Sequence, residues 1–165
     1  MGVINDWKRF ILFKRRIQRT HSLYRWRVVR YKKASNCLIK SKENDNLFWA
    51  IPMGKLNHRD ESQQERLNKY LSFPQADIRS CYYHIGRTTA KSIFFISDAI
   101  PITDKYIAEA HLGPDKKPFV IKNPRLISEL ERKLLRILSF ENSNPNHFRQ
   151  HISSIKQFLL NELNN

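Results

Sequence analysis

Residues 47–62 read LFWAIPMGKLNHRDES. The apolar run 47–51 has the length and character of a buried strand, and Pro52 and Gly54 follow it as chain breakers. A strand is therefore expected over 47–52, with the chain leaving the sheet at Pro52 and Gly54. Immediately beyond, Lys55, His58 and Arg59 set an amine, an imidazole and a guanidinium within five residues. A basic loop at a strand end and a phosphate site both have that composition.

Upstream, CLIKS at 37–41 reads as a second short strand, joined to the first by the polar turn KENDN at 42–46, where the Asp45-Asn46 pair suits a hairpin. YRWRVVRYKK at 24–33 alternates aromatic and β-branched residues with cations and reads as a third strand. Together they predict a highly twisted, three-stranded antiparallel unit. Residues 4–20, INDWKRFILFKRRIQRT, repeat apolar side chains at helical spacing among arginines and lysines. They read as a basic amphipathic helix capped by Asn5 or Asp6, within an N-terminal segment 1–22.

Downstream, 59–72 predicts a surface helix capped by Asp60 or Ser62 and ended by Pro74. Residues 78–86 and 91–97 give two more strands about a turn at Gly86-Arg87-Thr88-Thr89. Residues 100–110 open on Ile-Pro-Ile and carry a short helical segment at 106–110, and 118–122 is a last strand or extended piece. Pro124 starts a helix with an apolar stripe through Leu126, Leu130, Leu134 and Ile137. A Pro/Asn linker at 143–146 precedes a final helix over 146–163. The reading is one α+β domain over 1–165: a sheet-rich core at 24–122 with five or six mostly antiparallel strands, followed by helices at 124–163.

Thirty Lys and Arg against fifteen Asp and Glu give a net charge of +15. A chain this basic attracts polyanions, nucleic acid first among them. The charge is also clustered: eleven of the thirty cations fall in the first 33 positions, where Asp6 is the single acid. A contiguous basic face engages several phosphates at once and releases their counterions. Cys37 and Cys81 form no CxxC pair, which argues against a zinc ribbon or a redox dithiol. No apolar run reaches the roughly 18 residues of a membrane span. The expectation is a soluble, cytoplasmic protein with no membrane association.

No P-loop, GxGxxG, HExxH or GxSxG motif occurs, and no cofactor is expected. His147 and His151 have metal-ligand spacing, but no carboxylate completes the set, so no metal site is assigned. Two strand ends hold more chemistry. One is 52–59; the other, His84-Ile85-Gly86-Arg87-Thr88-Thr89-Ala90-Lys91-Ser92, surrounds a turn with an imidazole, hydroxyls and cations. Metal-free RNA cleavage needs a base for the 2′-OH proton, a cation for the pentavalent phosphorane and an acid for the leaving 5′-oxygen. Imidazole serves the first and last, and Lys or Arg the second. The product is a 2′,3′-cyclic phosphate. Simple phosphate binding uses the same residue types.

NLFWAIPMGK, then KSIFFISDAIPIT, then a helix opening RLISELERKLLRIL together resemble the toxins of type III toxin–antitoxin systems, the ToxN, AbiQ and TenpN group. The resemblance covers roughly residues 24–163 and rests on the order and spacing of short apolar motifs. It implies a compact, strongly curved, mostly antiparallel sheet of the MazF/PemK-like small-barrel kind, with flanking helices and a C-terminal helix pair. It implies a metal-independent, sequence-selective endoribonuclease acting on cellular or phage RNA in abortive infection or plasmid maintenance. The implied inhibitor is a repeated, folded RNA antitoxin held in a closed hetero-oligomeric protein–RNA assembly.

In this sequence Met53-Gly54-Lys55 stand where the group has a Thr/Ser pair, so Lys55 takes the key polar role or the hydroxyls come from Thr88, Thr89 or Ser92. The expected catalytic set is Lys55 for the phosphorane, His58 as acid or base, Arg59 or Arg87 as phosphate clamp, and Thr88 and Ser92 orienting the scissile phosphate. RNA binding is expected from Arg30, Tyr31, Lys32, Lys33, His84, Arg87 and Lys91, with Tyr31 stacking on a base. Two other readings use the same charge: a non-catalytic RNA- or DNA-binding regulator, and a membrane-surface effector led by the helix at 4–20.

Overall fold

The computed structural model describes residues 10–12, 35–106, 109–110 and 120–164. In chain order these form β1 (Phe10–Leu12), β2 (Ser35–Lys40), β3 (Leu47–Lys55), α1 (Glu61–Leu71), β4 (Tyr83–Arg87), β5 (Lys91–Phe95), β6 (Ile100–Thr103), β7 (Glu109–Ala110), α2 (Pro124–Ser143) and α3 (Ile152–Leu163). The fold is α+β, and every strand pairing is antiparallel. The strand order is β4-β5-β3-β2-β1-β7, with β6 also on β3. Among the described residues β4 and β7 are free ends, so the sheet is not closed.

Strand β3 does not stop at Pro52. It runs on through Gly54 to Lys55, because both of its edges are occupied. β2 pairs with it from Ser35↔Met53 to Lys40↔Phe48. Its other edge is shared: β5 pairs with Met53, Gly54 and Lys55, and β6 with Leu47 to Ala50. Between these two ladders Ile51 and Pro52 face residues 95–99, which fold into the 3-10 turn Ile96–Asp98. Proline has no N–H to give to a ladder, and an interruption in the neighbouring strand is where a central strand tolerates it. The breaker acts on the neighbour's geometry rather than on its own strand. The second proline of the motif, Pro101, sits opposite Trp49 on β6, whose other edge has no strand partner among the described residues.

Alternation along the strands sorts the core. Cys37, Ile39, Trp49, Ile51 and Phe94 share one face and pack with Leu126, Leu130, Leu134 and Ile137 of α2, with Phe148 and Ile152 joining the cluster. On the other face, Ile93 with the partly buried Tyr83, Ile85 and Phe95 is covered by Leu56 and by Leu67 of α1. Leu38, Ala50 and Ile102 make a smaller cluster on that second face.

The helix ends follow their sequence signals. Asp60 caps α1, its carboxylate accepting from Gln63 N at 2.9 Å. Asn123 caps α2, with Pro124 in the first turn where its missing N–H costs nothing. Helix α3 starts later than expected, at Ile152, because His151 takes a left-handed backbone conformation (φ 52°).

Several expectations are corrected. Within the expected helix at 4–20, Phe10–Leu12 is extended and paired with β2 and β7; three adjacent apolar residues are used on a sheet, and the rest of that segment lies outside the described residues, as does the strand expected at 24–33. Glu109–Ala110 is strand rather than helix for the same reason of pairing, and the chain before it makes a 3-10 turn at Asp104–Tyr106. Residues 121–123 belong to no strand, and Val120 makes an isolated bridge. Ile78–Cys81 is a 3-10 turn, so the strand expected from 78 begins at Tyr83, and Cys81 is buried outside any strand. The hairpin turn is 88–90: Gly86 pairs with Ser92 inside the ladder.

Candidate functional site

The two basic stretches meet. Lys55 lies directly opposite Ser92, and Ser92 directly opposite Gly86, in a row across β3, β5 and β4. Alternation puts this row on the same face as Met53 and Phe94. Lys55 is exposed at the strand end, whereas Ser92 is only 3% exposed. The Ser92 hydroxyl is engaged locally: it lies 3.1 Å from Thr88 Oγ1 and donates to Ala90 O at 3.1 Å. Thr88 N also donates to Ala90 O at 3.0 Å. The hydroxyl pair thus closes the hairpin turn, and the half-buried Thr88 is the member nearer to solvent.

Arg59 belongs to the opposite face. It follows the 3-10 turn Leu56–His58 and folds back so that its guanidinium carbon lies 4.8 Å from the centre of the Phe95 ring. A Cβ on Gly54 would stand 3.0 Å from Arg59 Nη2, so the glycine makes room for this close approach. Arg59 Nε is buried and has no hydrogen-bond partner. Stacking on the ring fixes the guanidinium plane. Arg87 and Lys91 are exposed and directly opposite each other at the end of the β4–β5 hairpin; alternation puts both on the Arg59 face. They line a shallow groove with Ile85, Gly86 and Ala90.

The sheet therefore splits the expected catalytic and RNA-binding residues. Lys55, Thr88 and Ser92 are together on the α2 face; Arg59, Arg87 and Lys91 are on the α1 face. Lys55, Thr88, Ser92, Arg87 and Lys91 lie at one end of β3–β5–β4, whereas the Arg59 guanidinium is folded back along the sheet to Phe95, at the other end of β5.

His84 is drawn away from this edge. It pairs with Phe94 and is half-buried beneath α2, where Lys133, Glu129 and Arg132 are its charged neighbours. Burial, then the Lys133 charge, hold its pKa below the ordinary histidine value. A neutral imidazole in that position supplies no cation to a phosphate. Lys133 is itself buried, donating to Ser80 O at 2.9 Å and Tyr83 O at 2.8 Å, and so ties α2 to the start of β4. His58 ends its 3-10 turn, but the role expected of its side chain lies outside the described residues. Arg30, Tyr31, Lys32 and Lys33 lie outside them as well.

Among the described residues no group of three or more His, Cys, Asp or Glu is placed to hold a metal ion. His147 packs edge-on against Phe140 and Phe148 at 4.9 and 5.2 Å. Among the described residues, no helix is long and apolar enough to cross a membrane. Comparison of the chain with protein-family models and with curated proteins found no match.

Proposed function

We propose that the protein is a metal-independent endoribonuclease, the toxin of a type III toxin–antitoxin pair. The observation that carries the reading is the register Lys55↔Ser92, which sets the exposed Lys55 directly across from the Ser92 of the Thr88–Ser92 hydroxyl pair, at the sheet end where Arg87 and Lys91 also lie. In this reading the RNA 2′-oxygen attacks the adjacent phosphorus, and Lys55 stabilises the charge of the phosphorane. The bond to the 5′-oxygen breaks, leaving a 2′,3′-cyclic phosphate. Arg59 clamps a neighbouring phosphate from the other face, and Thr88 meets the RNA while Ser92 holds Thr88. His58 supplies the acid or base. The substrates are cellular or phage RNA. The partner is a folded, repeated RNA antitoxin in a closed assembly, in the cytoplasm, acting in phage defence by abortive infection. A strongly curved small barrel is part of the same proposal, supported by the interruption opposite Pro52, since an insertion in one strand bends a sheet.

The burial and local bonding of Ser92 favour a second reading, an RNA- or DNA-binding regulator that does no chemistry. One experiment separates them. Purified protein is incubated with a long RNA in excess EDTA, and the products are mapped for 2′,3′-cyclic phosphate ends. Cleavage at defined sites that disappears in Lys55→Ala is the expected result. Salt-sensitive binding with intact RNA would give the protein to the second reading.

A further inference from the structure

β4 ends the sheet, and the hydrogen bonds at the two ends of its hairpin fix which of its backbone groups face outward. Ile96 N donates to Tyr82 O at 2.8 Å and Thr88 N donates to Ala90 O at 3.0 Å, so both are hydrogen-bonded pairs. Alternation between them makes His84/Phe94 and Gly86/Ser92 bonded pairs too, and turns the N–H and C=O of Tyr83, Ile85 and Arg87 away from β5. Tyr83 bears this out: the buried Lys133 Nζ donates to its carbonyl at 2.8 Å from outside the strand pair. Ile85 and Arg87 have no such cover, and among the described residues nothing bonds to their outward backbone groups. Beside them Arg87 and Lys91 line a groove with Ile85, Gly86 and Ala90. Neither cation makes an ion pair with a described residue, and residues 83–95 contain no acid.

An edge that sets a donor beside an acceptor at each outward residue is completed by another extended backbone. A phosphate only accepts, so it would satisfy the Ile85 N–H and leave the Ile85 carbonyl unpaired. A second copy of β4 fits poorly. Antiparallel pairing about Ile85 puts Arg87 of one copy against the Tyr83 carbonyl that Lys133 already holds, and pairing about Arg87 sets two guanidinium groups face to face. Either arrangement also brings together two chains of charge +15. We propose that β4 takes an added antiparallel strand from an acidic protein partner, with an apolar residue opposite Ile85 and a carboxylate opposite Arg87. Side chains at those two positions lie on the α1 face, where the groove receives the apolar one and Arg87 and Lys91 meet the carboxylate. Lys133 marks where the added strand stops. The inference does not depend on RNA being a substrate; a strand seated there covers Arg87 and Lys91 and so competes with RNA for them.

The test uses the full chain and a blocked peptide, Thr-Glu-Thr-Glu-Thr-Val-Thr, which sets Val opposite Ile85 and the Glu before it opposite Arg87. Binding is followed by fluorescence anisotropy. N-methylation of that Val and that Glu removes the two peptide donors without changing charge, and is expected to weaken binding about tenfold or more. Replacing both Glu by Lys is expected to abolish it. Ile85→Pro deletes an outward N–H that the β4–β5 ladder does not use, so the folded variant is expected to lose affinity as the methylated peptide does. Amide hydrogen exchange supplies a direct readout: the peptide is expected to slow Ile85 and Arg87 while leaving His84 and Gly86, already bonded to β5, unchanged. Equal binding of the methylated and unmethylated peptides would reduce the site to charge alone and overturn the inference, as would no binding, or full affinity in Ile85→Pro. Slowing of the Ile85 and Arg87 amides by a 2′-O-methyl oligouridylate but not by the peptide would assign the edge to RNA and overturn it as well. RNA cleavage that fails to appear would sink the endoribonuclease reading and leave this result untouched.

Discussion

Lys55 and Ser92 are direct cross-strand partners, and only Lys55 meets solvent. One pair thus combines a side chain that can touch a substrate with one that holds the turn beside it. Lys55→Ala is expected to lower single-turnover RNA cleavage by about a hundredfold, the scale of one lost transition-state donor, with an unchanged melting temperature. Ser92→Ala removes the bonds to Thr88 and Ala90 and is expected to cost about 1 kcal/mol of stability with a smaller loss of cleavage. Equal kinetic losses in the two variants, or a destabilised Lys55→Ala, would contradict this division of labour.

Where a local pattern had one outcome, the sequence was readable. Asp60 precedes its helix with the expected cap chemistry, Pro124 opens α2, and residues 47–51 are a buried strand. Pro52 and Gly54 were misread because their roles are tertiary: the proline sits where a neighbouring strand folds out, and the glycine makes room for Arg59. Phe10–Leu12 shows the same limit, since three apolar residues fit a helix or a strand until a partner edge is present. The meeting of 52–59 with 84–92 was legible as chemistry, but the separation of Lys55 from Arg59 by the sheet follows from alternation and needs the register.

Gly86 lies under Leu126, and this contact sets how close α2 comes to β4. A Cβ at position 86 would stand 2.4 Å from Leu126 Cδ1, closer than real Cβ contacts allow. Gly86→Ala is therefore expected to destabilise the protein by about 1–3 kcal/mol through overpacking. Leu126→Ala alone costs more, since it empties a buried site. In the double variant the two losses are expected to be less than additive, because each removes the other's cause. Urea unfolding of all four proteins measures the coupling, and strict additivity would show that the helix shifts freely away.

His84 makes the protein sensitive to acid. Its folded pKa is depressed, by burial first and by Lys133 second, below the ordinary value of 6.5. The unfolded chain therefore takes up the proton before the folded one does as pH falls. Stability is unaffected by this group at neutral pH and above, declines as pH drops below about 6.5, and levels off once the folded pKa is passed. His84→Gln is expected to flatten this part of the curve. Urea midpoints between about pH 5 and 8 test it, and parallel curves for the two proteins would rule the contribution out.

Glu141, near the end of α2, provides the cap that α3 lacks in its own sequence. His151 precedes α3 with a left-handed backbone and no side-chain cap. The Glu141 carboxylate, 2% exposed, fills that place: Oε1 accepts from Ser153 N at 3.2 Å, Ser153 Oγ at 2.7 Å and Asn146 N at 2.6 Å. One charged oxygen thereby satisfies a free amide in the first turn of α3 and fixes the α2–α3 linker, and negative charge there also suits the helix dipole. Its Oε2 has no partner, so the group's value rests on Oε1 alone. Glu141→Ala leaves buried donors unpaired and is expected to cost about 2–3 kcal/mol. Glu141→Gln keeps a neutral acceptor at Oε1 and is expected to cost less than half as much. The same order should hold for hydrogen exchange of the first-turn amides of α3, fastest in the alanine variant. If alanine and glutamine were equally destabilising, the negative charge rather than the acceptor oxygen would be what holds α3 in place.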